Sequence, residues 1–267
     1  MDLPPQPPPA CGVAVARRPA PLGPGLLAPA APTATAAAAA PSGPSEPATP
    51  AGPAPDYRNR LSSTEAGPPR MPLWCVWVQP MPTERPPTPW EQRWHRAVEA
   101  SLARWRQQLP IERVANPEAA QVRLHRQRPP LRLERDGRRR ASHGRALLQL
   151  QEVERQGVWR LEPLVEVLIS PDQREAAIQA TALHELGHAF GLWGHSDQPG
   201  DAMAAVPGSM PVLELSPRDL ASLRWLYGQP SRFGQPLRLP AASEPKRPGP
   251  AGNQEAAQSQ RSGRREG

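Results

Sequence analysis

The sequence has no apolar run long enough to cross a membrane, so no transmembrane helix is predicted. Prolines interrupt every apolar stretch near the N-terminus, and no signal peptide is recognisable there. Cysteine is scarce, with only Cys11 and Cys75, which excludes a small domain held together by several disulfides. We expect both cysteines to be unpaired, because Cys11 lies in a segment without folding signals. The sequence leaves the compartment open.

Periodic patterning is missing from both ends of the chain. Residues 1–70 are dominated by Pro, Ala, Gly, Ser and Thr, and residues 231–267 by polar residues with Pro, Gly and Arg. Such segments cannot bury enough apolar surface to offset the entropy lost on ordering, so both are predicted to be disordered tails. Residues 71–230 remain as the predicted folded domain, which is a common domain size.

The charge of the chain is unbalanced, with a net charge of +7 and a pI of about 10.7. We interpret its most basic segment as a solvated loop, or alternatively as a patch for an acidic substrate, nucleic acid or an anionic surface. Aromatic side chains are not interleaved with the basic ones, and no nucleic-acid motif is present, so no nucleic-acid partner is expected. The segment contains Arg135, Arg138, Arg139, Arg140, His143 and Arg145.

A strand and a long helix are predicted in the first part of the domain. Residues 71–78 form a short run rich in β-branched and aromatic residues, which favours a strand. Thr88, Pro89 and Glu91 have the pattern of a capping box with proline at the first helical position. Pro110 is expected to end this helix. Its buried face is predicted from apolar residues at helical spacing: Trp90, Trp94, Val98, Leu102, Trp105 and Leu109.

Strands are predicted in the middle of the domain, and two further helices after them. Ser170 and Ser216, each followed by proline, are the predicted N-caps of a helix over about 171–190 and of another that stops at Gly228. Pro163 indicates a bulge or an edge strand. The predicted strands lie near residues 122–124 and 131–133 and form a hairpin of 146–153 and 158–169, turned at Gln156-Gly157.

Residues 184–195 read H-E-L-G-H-A-F-G-L-W-G-H and carry the strongest functional signal. His184 and His188 are four residues apart, so a helix places both imidazoles on one face, where they can bind one zinc ion. Glu185 lies beside them and can act as a general base toward an attacking water molecule. Gly191 permits a left-handed helix end, after which the chain can turn back and offer His195 as a third ligand.

This motif resembles the zinc signature of the matrixins, a family of metzincin metalloproteases. Asp201-Ala202-Met203 is similar to the family's Met-turn, and residues 215–228 to its closing helix. The resemblance covers about residues 72–230 and implies an α+β fold, with a twisted, mostly parallel five-stranded sheet on three helices. It also implies Zn²⁺ held by His184, His188 and His195, Glu185 as the catalytic base, and Met203 under the metal.

The chain departs from the matrixin pattern at one point of the motif. Three residues separate Gly191 from His195, where the family pattern has two. Gly194 is expected to absorb the extra residue through an unusual backbone angle. If it does not, Asp197 is the alternative third ligand, because carboxylate oxygen also binds zinc.

The chain is therefore predicted to be a zinc endopeptidase with protein or peptide substrates. By resemblance, an extended substrate pairs with the edge strand around residues 146–153, and the loop 206–213 shapes the pocket beyond the scissile bond. One alternative is a catalytically weak or inactive zinc-binding domain that acts as an interaction module. Another places the function in the basic tails, with the domain as their scaffold. A monomer is expected, and the natural substrate is left open.

Overall fold

The computed structural model describes residues 11–20, 55–133 and 139–237, with the backbone alone for 132, 133, 139 and 140. The disorder predicted for residues 1–10, 21–54 and 238–267 lies outside the described residues, and so do Arg135 and Arg138. Among the helices that are described, none is both long enough and apolar enough to span a bilayer.

The described part of the chain contains eight strands, three α-helices and two short 3₁₀ helices, Arg58–Arg60 and Pro117–Ala119. The strands are β1 (Ala16–Pro19), β2 (Trp74–Val78), β3 (Ile111–Arg113), β4 (Val122–Arg126), β5 (Arg132–Leu133), β6 (Arg139–Arg140), β7 (Gly144–Arg155) and β8 (Val158–Ile169). The helices are α1 (Pro89–Arg106), α2 (Glu175–Ala189) and α3 (Pro217–Gly228).

A mixed six-stranded sheet has the order β1-β7-β8-β4-β2-β3, and β5 pairs with β6 in a separate ladder. β2, β3, β4 and β8 run parallel, whereas β7 is antiparallel to β8. These five strands and the three helices confirm the predicted α+β fold with a mostly parallel sheet. β1, which pairs with β7 in the antiparallel direction, adds a sixth strand that the sequence did not predict.

Two of the three predicted helix starts are confirmed. In α1, the Thr88 hydroxyl accepts a hydrogen bond from the N–H of Glu91, whose carboxylate accepts one from the N–H of Thr88. Ser216 and Asp219 form the same capping box in α3. The third start is wrong, because α2 does not begin beside Ser170. That serine is fully buried at the end of β8, and a short bend separates it from the helix.

The apolar stripe of α1 packs against the sheet and α2. Trp94 and Trp105 are fully buried, and the indole N–H of Trp105 donates to the carbonyl of Leu183 on α2 at 3.1 Å. Trp90, predicted to share this face, is 56% exposed in the first turn. The guanidinium of Arg93 lies 4.4 Å from the centre of its ring, so Trp90 contributes a cation–π contact at the surface.

The predicted hairpin of β7 and β8 is confirmed, with Gln156 (φ 52°) and Gly157 (φ 75°) at its turn. Both positive angles are those of a type I′ turn, which suits the twist of the strands. Of the two alternatives predicted for Pro163, the bulge is wrong, because β7 and β8 pair in unbroken register, whereas the edge holds locally although β8 as a whole lies between β7 and β4. Pairing with β4 begins only at Val165, so the N–H that Pro163 lacks has no acceptor to serve on that side.

The N-terminal residues 11–20 are attached to the sheet at two places. β1 pairs with the outer edge of β7, and a disulfide joins Cys11 to Cys75 on β2, with the two Cα atoms 5.6 Å apart. Arg155, buried in an ion pair with Glu162, also donates to the carbonyl of Gly12. The expectation of two unpaired cysteines is therefore wrong, because these contacts bring Cys11 back over the sheet.

Residues 55–70 also pack against the folded domain. Tyr57 is completely buried, and it donates its N–H to the hydroxyl of Ser222 at 3.0 Å and its own hydroxyl to Asp219 at 2.8 Å. After α3, residues 231–237 return to β8, to which they donate two backbone hydrogen bonds. The expectation of structureless tails does not extend to these stretches, so the described fold begins before residue 71 and continues beyond residue 230.

Tyr57 and Tyr227, the two tyrosines of the sequence, should make the fold sensitive to alkaline pH. Burial is the main cause that raises the pKa of both phenols above the ordinary value of 10.0, and the charge of Asp219 raises the pKa of Tyr57 further. Above about pH 10 the unfolded chain loses phenol protons that the folded chain keeps. The free energy of unfolding should then fall as pH rises, by up to about 1.4 kcal/mol per pH unit for each tyrosine.

Urea unfolding between about pH 9 and pH 11, with tyrosinate absorbance followed in parallel, checks this. Lys246 is the only lysine of the sequence, so few other groups titrate in this range. Tyrosinate should appear together with unfolding, and Tyr57→Phe should reduce the pH dependence. Ionisation of both phenols near pH 10 in the folded protein would contradict the expectation.

Candidate metal centre

Gly191 ends α2 in the left-handed conformation that the sequence predicted, with φ of +108°. Its N–H donates to the carbonyl of His188 at 3.0 Å, and the N–H of Leu192 donates to that of Gly187 at 2.9 Å. These two bonds are those of a Schellman motif. A Cβ on Gly191 would lie 3.2 Å from the carbonyl oxygen of Pro69, so space as well as conformation favours glycine. The chain therefore reverses just after His188.

The reversal brings the three predicted histidines together. One ring nitrogen from each of His184, His188 and His195 lies within 4.8 Å of the other two. The ring centroids are 4.8 Å apart for the first pair, and His195 lies 5.2 Å from His184 and 4.9 Å from His188. Among the described residues, no other group of three or more histidine, cysteine or acidic side chains has this proximity.

Hydrogen bonds fix the tautomers of the two histidines on α2. Nδ1 of His184 lies 2.8 Å from the carbonyl oxygen of Ala202, and Nδ1 of His188 lies 2.7 Å from that of Leu192. Because a carbonyl only accepts, each Nδ1 carries the hydrogen and each Nε2 presents a lone pair. Burial lowers the pKa of His184, holds that of His188 well below its usual value, and lowers that of His195 to about 4. Three neutral imidazoles, two of them oriented by carbonyls, are a donor set that fits zinc.

Glu185 is buried between α2 and the start of β7. Burial raises the pKa of its carboxyl group to about 8, against the opposing effects of a hydrogen bond from the Ala146 backbone and the charge of Arg145. Gly144 allows the side chain of Glu185 to lie this close to β7, since a Cβ at Gly144 would lie 2.7 Å from Oε1 of Glu185. Sequence reasoning did not single out Gly144. Its signal is a glycine at the start of a strand, where another group often approaches the backbone closely.

Met203 is completely buried against the part of α2 between the two histidines. A Cβ on Gly187 would lie 2.2 Å from the sulfur of Met203, so the helix has a glycine where the thioether packs. The turn that contains Met203 is held by hydrogen bonds from two sides. The carbonyl of Met203 accepts from the N–H of Ser196 at 2.7 Å, and the carboxylate of Asp219 accepts from the N–H groups of Ala202 and Met203 at 2.8 and 3.3 Å. The sequence did not indicate this role of Asp219.

The chain between Gly191 and His195, one residue longer than in the matrixin pattern, does not have the conformation that the sequence suggested. Gly194 has no left-handed φ, so the expected unusual backbone angle is wrong. A Cβ on Gly194 would instead lie 2.1 Å from the carbonyl oxygen of Arg60, which makes close approach the reason for glycine. Asp197, the alternative ligand, is not in the histidine cluster. Its carboxylate pairs with Arg218 at 2.8 Å and with Arg60 at 3.4 Å.

The family model described as matrixin matches residues 84–228, which is more than half of the chain. The chain belongs to the matrixin family. It therefore contains a metallopeptidase-type domain, and the match includes the histidine cluster, Met203 and all three helices. β1, β2 and residues 55–70 lie outside the matched range of this matrixin.

The outer edge of β7 in this matrixin is partly covered. β1 pairs with β7 from Gln151 to Glu154, and the N–H of Ala20 donates to the carbonyl of Leu150 at 3.0 Å. Within the described part of the chain, no strand pairs with that edge over residues 144–149. The predicted substrate edge of 146–153 is thus corrected, because β1 occupies its second half.

Proposed function

We propose that this matrixin is a zinc endopeptidase that hydrolyses peptide bonds of proteins or peptides. The proposal is carried by one observation: the imidazoles of His184 and His188 on α2 converge with that of His195, beside the buried carboxyl group of Glu185 on α2. His184, His188 and His195 would hold the zinc ion, and Glu185 would be the general base. Bound there, zinc would supply a Lewis acid that polarises the scissile carbonyl and acidifies a water molecule.

Glu185 has a suitable environment for proton transfer near neutral pH. Burial raises the pKa of its carboxyl group to about 8 in the metal-free protein, and a cation held by the adjacent histidines favours the carboxylate and lowers that pKa. A group whose pKa lies near the working pH can take a proton from the attacking water and later give it to the leaving amine.

The uncovered edge of β7 offers a binding place for an extended substrate. Residues 144–149 can pair with a peptide through backbone hydrogen bonds, as sheet edges do in other peptide complexes. Gly144 leaves no side chain between this edge and Glu185, so a peptide bound there passes close to the proposed base. The covered stretch beyond Leu150 limits how far the substrate can follow β7.

Metal analysis of the purified full-length protein, combined with a chelator-reversible cleavage assay, tests the proposal. We expect about one zinc ion per chain and cleavage of casein or a peptide library. Cleavage should stop with 1,10-phenanthroline and return when zinc is added. Absence of zinc, or cleavage that persists after its removal, would contradict the proposal. Zinc binding without cleavage of any peptide would favour the interaction module instead.

A further inference from the structure

We propose that residues 58–62, called the strap below, position the third metal ligand of this matrixin, and that they act through Gly194. The inference rests on the proposed function in one respect, that His195 binds the metal. The strap precedes the range 84–228 that the family model matches, so the inference depends on contacts of this chain alone.

His195 lacks the support that the other two histidines have. Nδ1 of His184 and of His188 each donates to a backbone carbonyl. Within the described residues, His195 makes no hydrogen bond through its backbone or its ring. Its position therefore depends on the backbone of its neighbours, residues 193–197.

The strap contacts residues 193–197 on both sides of His195, once through the backbone and once through a side chain. Before the histidine, the N–H of Ser62 donates to the carbonyl of Trp193 at 2.7 Å. After it, the guanidinium of Arg60 lies 3.4 Å from the carboxylate of Asp197. The hydrogen bond restrains the chain that enters His195. The ion pair is half-exposed and adds only a weak restraint after it, where the N–H of Ser196 is also bonded to the carbonyl of Met203 at 2.7 Å.

Gly194 allows the strap to lie this close. A Cβ at this position would lie 2.1 Å from the carbonyl oxygen of Arg60 and 3.1 Å from the Cα of Leu61. Both are backbone atoms, which cannot rotate away as a flexible side chain can. Because Gly194 has no left-handed φ, its conformation does not require glycine, and the approach of the strap does. The residue next along the chain is His195.

Each end of the strap is tied to the domain body. On its N-terminal side, Tyr57 is buried and bonded to Ser222 and Asp219 of α3. On its C-terminal side, Gly67 (φ +92°) packs so closely on the chain after α3 that a Cβ would lie 2.3 Å from the carbonyl oxygen of Pro230. Since Asp219 also holds the turn that contains Met203, the strap and this turn share one anchor.

The test compares the zinc affinity of full-length Gly194→Ala with that of the wild type, by competition with a chelator of known affinity. The added methyl group must displace the strap, and we expect affinity to fall about 10–100-fold, as for other outer-shell partners of metal sites. Gly200→Ala is the matched control, because a Cβ there meets nothing within 4 Å, and its affinity should be unchanged. Visible spectra of the cobalt(II) forms should differ from wild type for the first variant alone.

Ser62→Pro is a second variant, which removes the N–H donated to Trp193. Leu61 before it has φ of −87° and ψ of 133°, the extended conformation that proline requires of the preceding residue. We expect a smaller loss of zinc affinity, about 2–10-fold, from one hydrogen bond. This variant keeps the proposal testable if Gly194→Ala does not fold.

If the strap only stabilised the fold and did not position His195, the measurements would differ. Urea unfolding of the metal-free variants would shift while their zinc affinity stayed at the wild-type level, and that outcome overturns the positioning role. His195→Ala separates this inference from the proposed function. If His195→Ala weakens zinc binding and neither strap variant does, the inference fails and the function stands. If the wild type binds no zinc, both fail.

Discussion

Replacement of Glu185 by glutamine should lower kcat/KM for peptide hydrolysis by about 10²–10⁴-fold without loss of the fold or of zinc binding. An amide cannot accept the proton of the attacking water. It has the size of the carboxyl group, which matters because Gly144 passes within contact distance of this side chain. Burial disfavours the charged form of Glu185 and raises its pKa to about 8, so an uncharged amide of the same shape should be tolerated at this position.

The measurement is kcat/KM for the cleavage of one defined peptide by zinc-loaded protein, with zinc content and urea unfolding determined on the same sample. Glu175→Gln is the matched control, since Glu175 lies at the start of the same helix with its side chain 45% exposed. We expect wild-type kinetics for that variant. Turnover near the wild-type rate in Glu185→Gln would remove Glu185 from the proposed mechanism.

The local features of the fold and of the site were predictable because each depends on residues that are close together in the sequence. The capping boxes of α1 and α3 and the turn at Gly157 depend on side chains and backbone groups a few residues apart. Gly191 was recognisable as a left-handed helix end for the same reason. Helical geometry alone places His184 over His188.

The contacts of the N-terminal segments were not predictable from the sequence. Cys11 and Cys75 are 64 residues apart, and β1 has no alternation of apolar residues that would indicate a strand. These segments attach through backbone hydrogen bonds and a few long-range side-chain contacts, such as that of Tyr57 with Asp219 and that of Arg155 on β7 with the carbonyl of Gly12. Their composition is that of a disordered tail, because so few residues supply the burial.

Glycine shows a further limit of sequence reasoning. Gly191 is needed for its backbone angle, whereas Gly144, Gly187 and Gly194 are needed because another group occupies the place of a side chain. The two reasons cannot be distinguished from the sequence, because the residue is glycine in both cases. Only the structure shows which group approaches each one: the carboxyl group of Glu185 at Gly144, the sulfur of Met203 at Gly187 and the strap at Gly194.

Replacement of Asp219 by alanine should destabilise the domain by about 3–5 kcal/mol, because several buried donors lose one shared acceptor. Asp219 is 1% exposed, and its carboxylate accepts from the N–H of Ala202 at 2.8 Å, that of Met203 at 3.3 Å and the hydroxyl of Tyr57 at 2.8 Å. It also caps α3 through the N–H of Ser216 at 2.9 Å. Zinc affinity should fall as well, since the carbonyl of Ala202 orients His184.

Tyr57→Phe distinguishes this shared role from the loss of any single hydrogen bond. It removes one of the donors to Asp219 and keeps the others, so we expect a cost of about 1 kcal/mol. Zinc affinity should stay near the wild-type value, because the N–H of residue 57 still donates to Ser222 and keeps the strap anchored to α3. Urea unfolding and chelator competition on both variants provide the comparison. If Asp219→Ala cost no more than Tyr57→Phe and bound zinc as tightly, the Met203 turn would be held by its packing against Gly187 and by Ser196, and the carboxylate would only cap α3.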